Sequence, residues 1–350
     1  MNKKQLKSLY DICSYTRAAG SEGERAMIAK HIEPIANYTD GYGNLYAMIG
    51  QPNVIYSSHT DTVHREADPT TQTVYIDEGE TRLFKGDDKM CLGADCGTGV
   101  WIMLQMIKAK VPGLYIFHRA EEIGGLGSSW IIDNPQASTD SDHEHWVQQY
   151  TQCIAFDRYG TKSIITHQGM ERTCSDEYAD VLGDLLGMGH KPDDGGSFTD
   201  SKNYCRLVPE CTNLSVGYKH QHSNKEYQDL DYLLAVTDRL CTIGHEIDKL
   251  TPTRDPSKVE TLEYDDWGWA SGYRRNNYSY FGTSKLNGLT TRDYDYSGTY
   301  SDNPLHDAIQ TYPEAVAAML REAGYQMDDD ELARNIEERW VWTDDLRLYG

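Results

Sequence analysis

Short unbroken apolar runs alternate with longer stretches of helical spacing along this chain, and most of the runs stop at a polar cluster. Residues 54–58, 114–117 and 152–156 have strand length and little alternation, the pattern of strands covered on both faces. Residues 163–167 and 213–218 predict two more strands. Residues 37–50 predict strand, turn and strand, with Asp40-Gly41 and Tyr42-Gly43-Asn44 supplying the turn chemistry. Helical periodicity marks residues 3–18 and 21–36, the second opening on Ser21 with Glu24 at capping-box spacing. Further helices are expected over 100–107, 128–133, 174–186 and 230–247, and a short hairpin pairs 73–76 with 82–84 inside a polar excursion. Strands alternating with helices predict an α/β fold, a three-layer α/β/α arrangement around a central, mostly parallel mixed sheet.

Beyond residue 250 the pattern changes. Residues 251–303 are polar and tyrosine-rich without a sustained period, which reads as an ordered strap or a flexible linker. Residues 304–323 and 328–341 recover helical spacing and predict a C-terminal helical hairpin that packs on the main domain or on another subunit. The expected organisation is therefore a domain over 1–250, a connecting segment over 251–303 and a helical segment over 304–350.

Charge narrows the partners. A formal net charge of −22 over 350 residues argues against a nucleic-acid or anionic-membrane surface, both of which need clustered Lys and Arg. Neutral or cationic small substrates fit better. The basic N-terminus has no apolar core of signal-peptide length after it and no window approaches a transmembrane span. The eight cysteines contain no Cys-x-x-Cys pair, so neither a thiolate zinc site nor a dense disulfide framework is expected, and a reduced, cytoplasmic location is the default.

The chemistry gathers where predicted strands end, which in α/β sheets is where the crevice lies. Glu121-Glu122 follows the strand at 114–117 and precedes a glycine-rich turn. Two adjacent carboxylates repel unless a cation takes one and leaves the other as a base; taken alone, a solvated acidic turn is the favoured reading, and the rest of the chain has to change it. His59-Thr-Asp61 follows the strand at 54–58, so a carboxylate can fix the imidazole tautomer, although an ordinary surface loop is the competing reading. Asp95 lies in a glycine-flanked turn at a helix start, either reaching toward cations or acting as an N-cap with packing glycines. Asp157 ends another strand, and His222 follows the last one. Asp140 to His145 lacks a preceding strand and reads as a solvated loop, His64 as solvent-facing, and His167 as an ordinary strand-end residue.

In order along the chain, His59-x-Asp61, Gly93-Ala-Asp95-x-Gly97-x-Gly99, Glu121-Glu122-x-Gly124-x-x-Gly127-Ser128, the strand-end Asp157 and His222-Ser-x-x-Glu226 resemble the co-catalytic di-zinc aminopeptidase and carboxypeptidase superfamily over about residues 1–250. The resemblance implies two Zn2+ ions, with Co2+ or Mn2+ as substitutes. Asp95 would bridge them, His59 and Asp157 completing one site and Glu122 and His222 the other. Asp61 would orient His59, and Glu121 would be the general base for hydrolysis of a peptide or aminoacyl substrate. His220 rivals His222 but lacks the Ser and Glu at the expected spacing. Carboxypeptidase, dipeptidase and deacylase relatives usually carry a lid domain before the last His. Here the 65 positions from Asp157 to His222 are needed for core strands and a helix, which favours the single-domain aminopeptidase type. Arg119 and Arg158 keep a carboxylate-binding alternative open, a glutaminyl-cyclase-like transferase and a non-catalytic metal-stabilised module are further alternatives, and an oligomer is compatible with the pattern.

Overall fold

The computed structural model describes residues 3–262, apart from 66, 78, 80, 86–89 and 136–144. The elements run α1 (Lys3–Ser14), α2 (Glu22–His31), β1 (Tyr38–Thr39), β2 (Leu45–Ile49), β3 (Val54–His59), β4 (Val74–Asp77), β5 (Arg82–Lys85), α3 (Ala94–Lys108), β6 (Gly113–His118), α4 (Leu126–Asp133) and β7 (Gln152–Arg158). They continue through β8 (Ser163–Ile165), β9 (His167–Gln168), β10 (Glu171–Arg172), α5 (Asp176–Leu186), β11 (Lys191–Asp193), α6 (Ser201–Tyr204), β12 (Glu210–Ser215), β13 (Tyr218–Lys219), β14 (Tyr227–Asp229) and α7 (Leu230–Ile247). The predicted C-terminal hairpin over 304–350 and most of the connecting segment lie outside the described residues.

An eight-stranded sheet in the order β1-β2-β6-β3-β7-β12-β8-β11 forms the middle layer. Its centre, β6-β3-β7-β12, is parallel, and β2 and β8 join it antiparallel. Alternate side chains along the central strands feed two separate cores. Tyr56, Tyr115, Phe117, Ile154 and Phe156 pack against α1, α2, α3, α5 and α7 on one face, while Ile55, Leu114, Ile116 and Cys153 pack against α4 and α6 on the other. The sheet is thus sandwiched between helices, the three-layer α/β fold expected from strands without polar alternation. Helix α3 is buried from Ala94 to Ile107, which explains its lack of a polar stripe. Gly99 permits this depth: a Cβ there would lie 2.1 Å from Ser58 Oγ and 2.3 Å from the Phe156 carbonyl, so this glycine serves helix-on-strand packing rather than close approach to a ligand. A second, four-stranded sheet, β13-β14-β5-β4, carries the expected hairpin. No described helix is long and apolar enough to cross a membrane.

Several boundaries differ from expectation for identifiable reasons. Helix α2 stops at His31 instead of reaching 36, because the residue before Pro34 is pushed out of helical geometry. Helix α1 stops at Ser14, since Tyr15 turns extended and bridges Thr71. Strand β12 begins at Glu210, ahead of the predicted 213, and this buried carboxylate accepts from Ser175 N (2.8 Å), Ser175 Oγ (2.9 Å), Thr253 N (2.8 Å) and Arg254 N (3.0 Å). Residues 251–262 consequently form a strap on this domain, and Thr261 bridges back to Glu171.

Candidate metal centre

Strands β3, β6 and β7 end side by side, and their register carries the chemistry to one edge: His59 is paired with His118 at the ends of β3 and β6, four residues before Glu122. All of the sequence-predicted ligands converge there. Asp95 sits between two imidazoles, its Oδ1 3.2 Å from His59 Nε2 and its Oδ2 3.1 Å from His222 Nε2. Asp157 Oδ1 lies 3.4 Å from His59 Nε2, and Glu122 Oε1 lies 3.0 Å from His222 Nε2. Donor atoms of Asp95, Glu122 and His222 fall within 4.8 Å of one another, as do those of His59, Cys96 and Asp157, and those of His59, Glu121 and Glu122. The rival His220 is exposed and stacks toward Tyr227 at 5.9 Å.

Asp61 has a larger role than its spacing suggests. The expectation was that its carboxylate orients His59, but that oxygen is 3.5 Å away, and the nearer partner of His59 Nδ1 is the Asp61 backbone carbonyl at 3.1 Å. A carbonyl can only accept, so Nδ1 carries a proton and Nε2 is the nitrogen that faces the acidic cluster. The Asp61 carboxylate instead receives the backbone N–H groups of Glu121 and Glu122, each at 3.1 Å. It clamps the turn that carries both glutamates.

Other supporting residues had weaker signals. Glu226, fully buried, accepts from Gly93 N at 2.8 Å and Asp95 N at 3.1 Å, which gives the Glu of the His-Ser-x-x-Glu motif its physical purpose. Asn213 brackets Asp157, accepting from its N–H and donating to its carbonyl, both at 2.9 Å. Arg17, fully buried, donates to the carbonyls of Thr60 (3.0 Å) and Gly93 (2.6 Å), tying the His59 turn to the Asp95 turn. His64 is buried rather than solvent-facing: its Nδ1 accepts from Arg17 N at 3.0 Å and its Nε2 lies 3.1 Å from the Cys91 carbonyl. Nothing local in the sequence distinguishes Arg17 or His64 from surface residues. The predicted solvated stretch from Asp140 lies outside the described residues up to 144, and His145 is buried, capping the turn Trp146–Gln149.

Five carboxylates, Asp61, Asp95, Glu121, Glu122 and Asp157, face two imidazoles, and the excess negative charge shows in their protonation. Burial, with Glu122 beside it, pushes Glu121 well above the ordinary carboxylate range. Burial and Asp95 push Asp157 up to about 7. Asp95 is held low against burial by His222 and His59, and both imidazoles are raised despite burial, His59 by Asp157 and His222 by Glu122. A cluster that retains protons on its own acids is short of positive charge. Oxygen and imidazole donors grouped at this spacing are of the kind that could hold a metal ion.

No family model matches the sequence, and no curated protein does. Solved structures do match. A tripeptidase from Staphylococcus aureus subsp. aureus Mu50 superposes with a TM-score of 0.58 at 12% identity, covering 71% of this chain and 100% of that one. The fold is one that peptidases use. Aminopeptidase PepT from Bacillus cereus ATCC 10987 gives a TM-score of 0.54 at 13% identity, covering 71% of this chain and 100% of that one. A TET aminopeptidase from a marine sediment thaumarchaeote gives 0.52 at 10% identity, covering 71% and 98%.

Proposed function

We propose that this protein is a metal-dependent peptidase that releases N-terminal amino acids from peptides. The observation that carries the reading is Asp95, whose two oxygens each face a different imidazole, with Glu121 alongside. His59, Asp95 and Asp157 would hold one divalent cation, and Asp95, Glu122 and His222 the other. Bound there, the cations supply Lewis acidity, polarising a scissile carbonyl and lowering the pKa of water.

Glu121 and Glu122 then divide the work. Glu122 is committed to His222, whereas the Glu121 carboxylate accepts no hydrogen bond among the described residues. It is free to take a proton from the attacking water and return it to the leaving nitrogen. Asp61 keeps both glutamates in register through their N–H groups. The acidic mouth suits a free α-ammonium group.

The amino-terminal reading is favoured over a carboxypeptidase by two observations. Arg119 is occupied by Glu24, Nε to Oε1 at 2.7 Å and Nη2 to Oε2 at 2.8 Å. The chain between Asp157 and His222 is spent on β8 to β13, with no separate lid there among the described residues. A panel of aminoacyl and N-blocked peptide substrates, run with metal content quantified, tests the proposal. Cleavage of free-amine substrates that falls about 10²-fold in Glu121→Gln, with metal retained, is expected; exclusive cleavage of N-blocked substrates would reverse the assignment.

A further inference from the structure

Both glutamates ride on the loop that leaves β6 after His118 and enters α4 at Leu126, with Ser128 in the first turn of that helix. Asp200, at the end of the Gly/Asp stretch 193–200, is hydrogen-bonded to the α4 end of that loop and lies near its β6 end. Its Oδ1 accepts from Ser128 Oγ at 2.6 Å, and its Oδ2 lies 3.4 Å from His118 Nδ1. Asp200, His118 and Ser128 are all fully buried, and Asp200 Oδ2 has no hydrogen-bond partner among the described residues. A buried carboxylate with one oxygen left unpaired costs stability, so packing alone does not explain an Asp here.

The surrounding contacts indicate what the carboxylate holds. His118 Nε2 is 2.6 Å from the Tyr204 hydroxyl, and its Nδ1 is 3.2 Å from Ser57 Oγ, so both ring nitrogens have partners beside Asp200. Ser128 Oγ also receives Asn203 Nδ2 at 2.8 Å. Helix α6 thus braces the partners of Asp200, Asn203 holding Ser128 and Tyr204 holding His118, while Asp200 itself bonds Ser128. Inside the loop, Gly124 N and Gly125 N both donate to the Glu121 carbonyl at 2.9 Å, and Gly127 N donates to the Arg119 carbonyl at 3.0 Å. A shift of either end of the loop is therefore passed to Glu121 through its own backbone. We infer that Asp200 is a positioning residue for Glu121, holding the α4 end of its loop through Ser128 Oγ so that the base keeps its distance from the attacking water.

The inference rests on the peptidase reading, and the experiment separates the two. Asp200→Ala should lower kcat about 10-fold with KM and metal content unchanged, because misplacement of a catalytic group by a fraction of an ångström acts on the chemical step. Asp200→Asn, which keeps an acceptor for Ser128, should recover part of the loss. In a Glu121→Gln background, Asp200→Ala should cost less than about 2-fold more, since the group it positions is gone. If Asp200→Ala does not fold, Ser128→Ala removes the same hydrogen bond from its donor side and takes its place in the cycle. An equal loss in both backgrounds, or a fall in metal content, overturns the positioning role. A parent without peptidase activity, or a Glu121→Gln variant as active as the parent, defeats the peptidase reading itself, and this inference with it.

Discussion

Asp61→Ala should be among the most damaging single changes at the centre, for a reason that can be counted. The substitution strips the acceptors from Glu121 N and Glu122 N, each bonded at 3.1 Å to a fully buried carboxylate. A buried donor left unpaired costs roughly 1–3 kcal/mol, so two such donors cost about 2–6 kcal/mol, set against a total stability of about 5–15 kcal/mol. The unfolding midpoint of metal-free protein should drop by the order of 10 °C. Asp61→Asn keeps one oxygen for one of the two N–H groups and should lose about half as much. Because the clamp also registers Glu122, zinc affinity should weaken by about 10–100-fold, the usual effect of removing a group that supports a ligand. Thermal unfolding in chelator and competitive zinc titration read the two effects separately. An Asp61→Ala protein with an unchanged midpoint and unchanged zinc affinity would show that the two N–H groups find other acceptors and that the clamp reasoning is wrong.

Three further outcomes are expected. Asp95→Ala should release both metals and His222→Ala mainly one, measured by metal analysis after dialysis, because Asp95 has one oxygen about 3 Å from each imidazole; equal retention in the Asp95 variant and the parent would end the two-metal assignment. Metal-free protein should lose stability as pH rises: Asp157, Asp200 and Glu226, with ordinary values of 3.8, 3.8 and 4.5, are each raised to about 7 in the fold, so the folded state binds more protons between about pH 4 and 7 and its advantage is lost through that window. Denaturant midpoints at pH 5 and 8 check this, and zinc should reverse the decline. A chain ending at 262 should keep metal binding and its unfolding midpoint, whereas one ending at 250 loses the Thr253 and Arg254 donors to the buried Glu210 and should unfold several degrees lower; identical midpoints would mean the strap holds nothing.

The six residues His59, Asp95, Glu121, Glu122, Asp157 and His222 were legible because each stands beside a local signal, the end of an apolar run or a glycine-flanked turn, and sheet register then assembles strand ends automatically. Asp61 was legible as a neighbour of His59 but not as the clamp on Glu121, since that contact crosses 60 positions. Arg17, Asp200 and Glu210 left no local trace at all. Their partners lie on other elements, and a buried ion among polar neighbours has the same local spelling as an exposed one. Helix ends were misread where a single residue decided them, as at Pro34.

Glu226 holds the backbone of Gly93 and Asp95 from 133 and 131 positions away. During synthesis the first imidazole, the central aspartate and both glutamates all leave the ribosome long before the residue that fixes the aspartate's turn. Closing so long a loop costs entropy that local contacts cannot offset early. A nascent chain therefore carries an open, self-repelling acidic surface rather than a cage, and a metal bound at the proposed centre would have to enter last, after the strands on either side have already found their order.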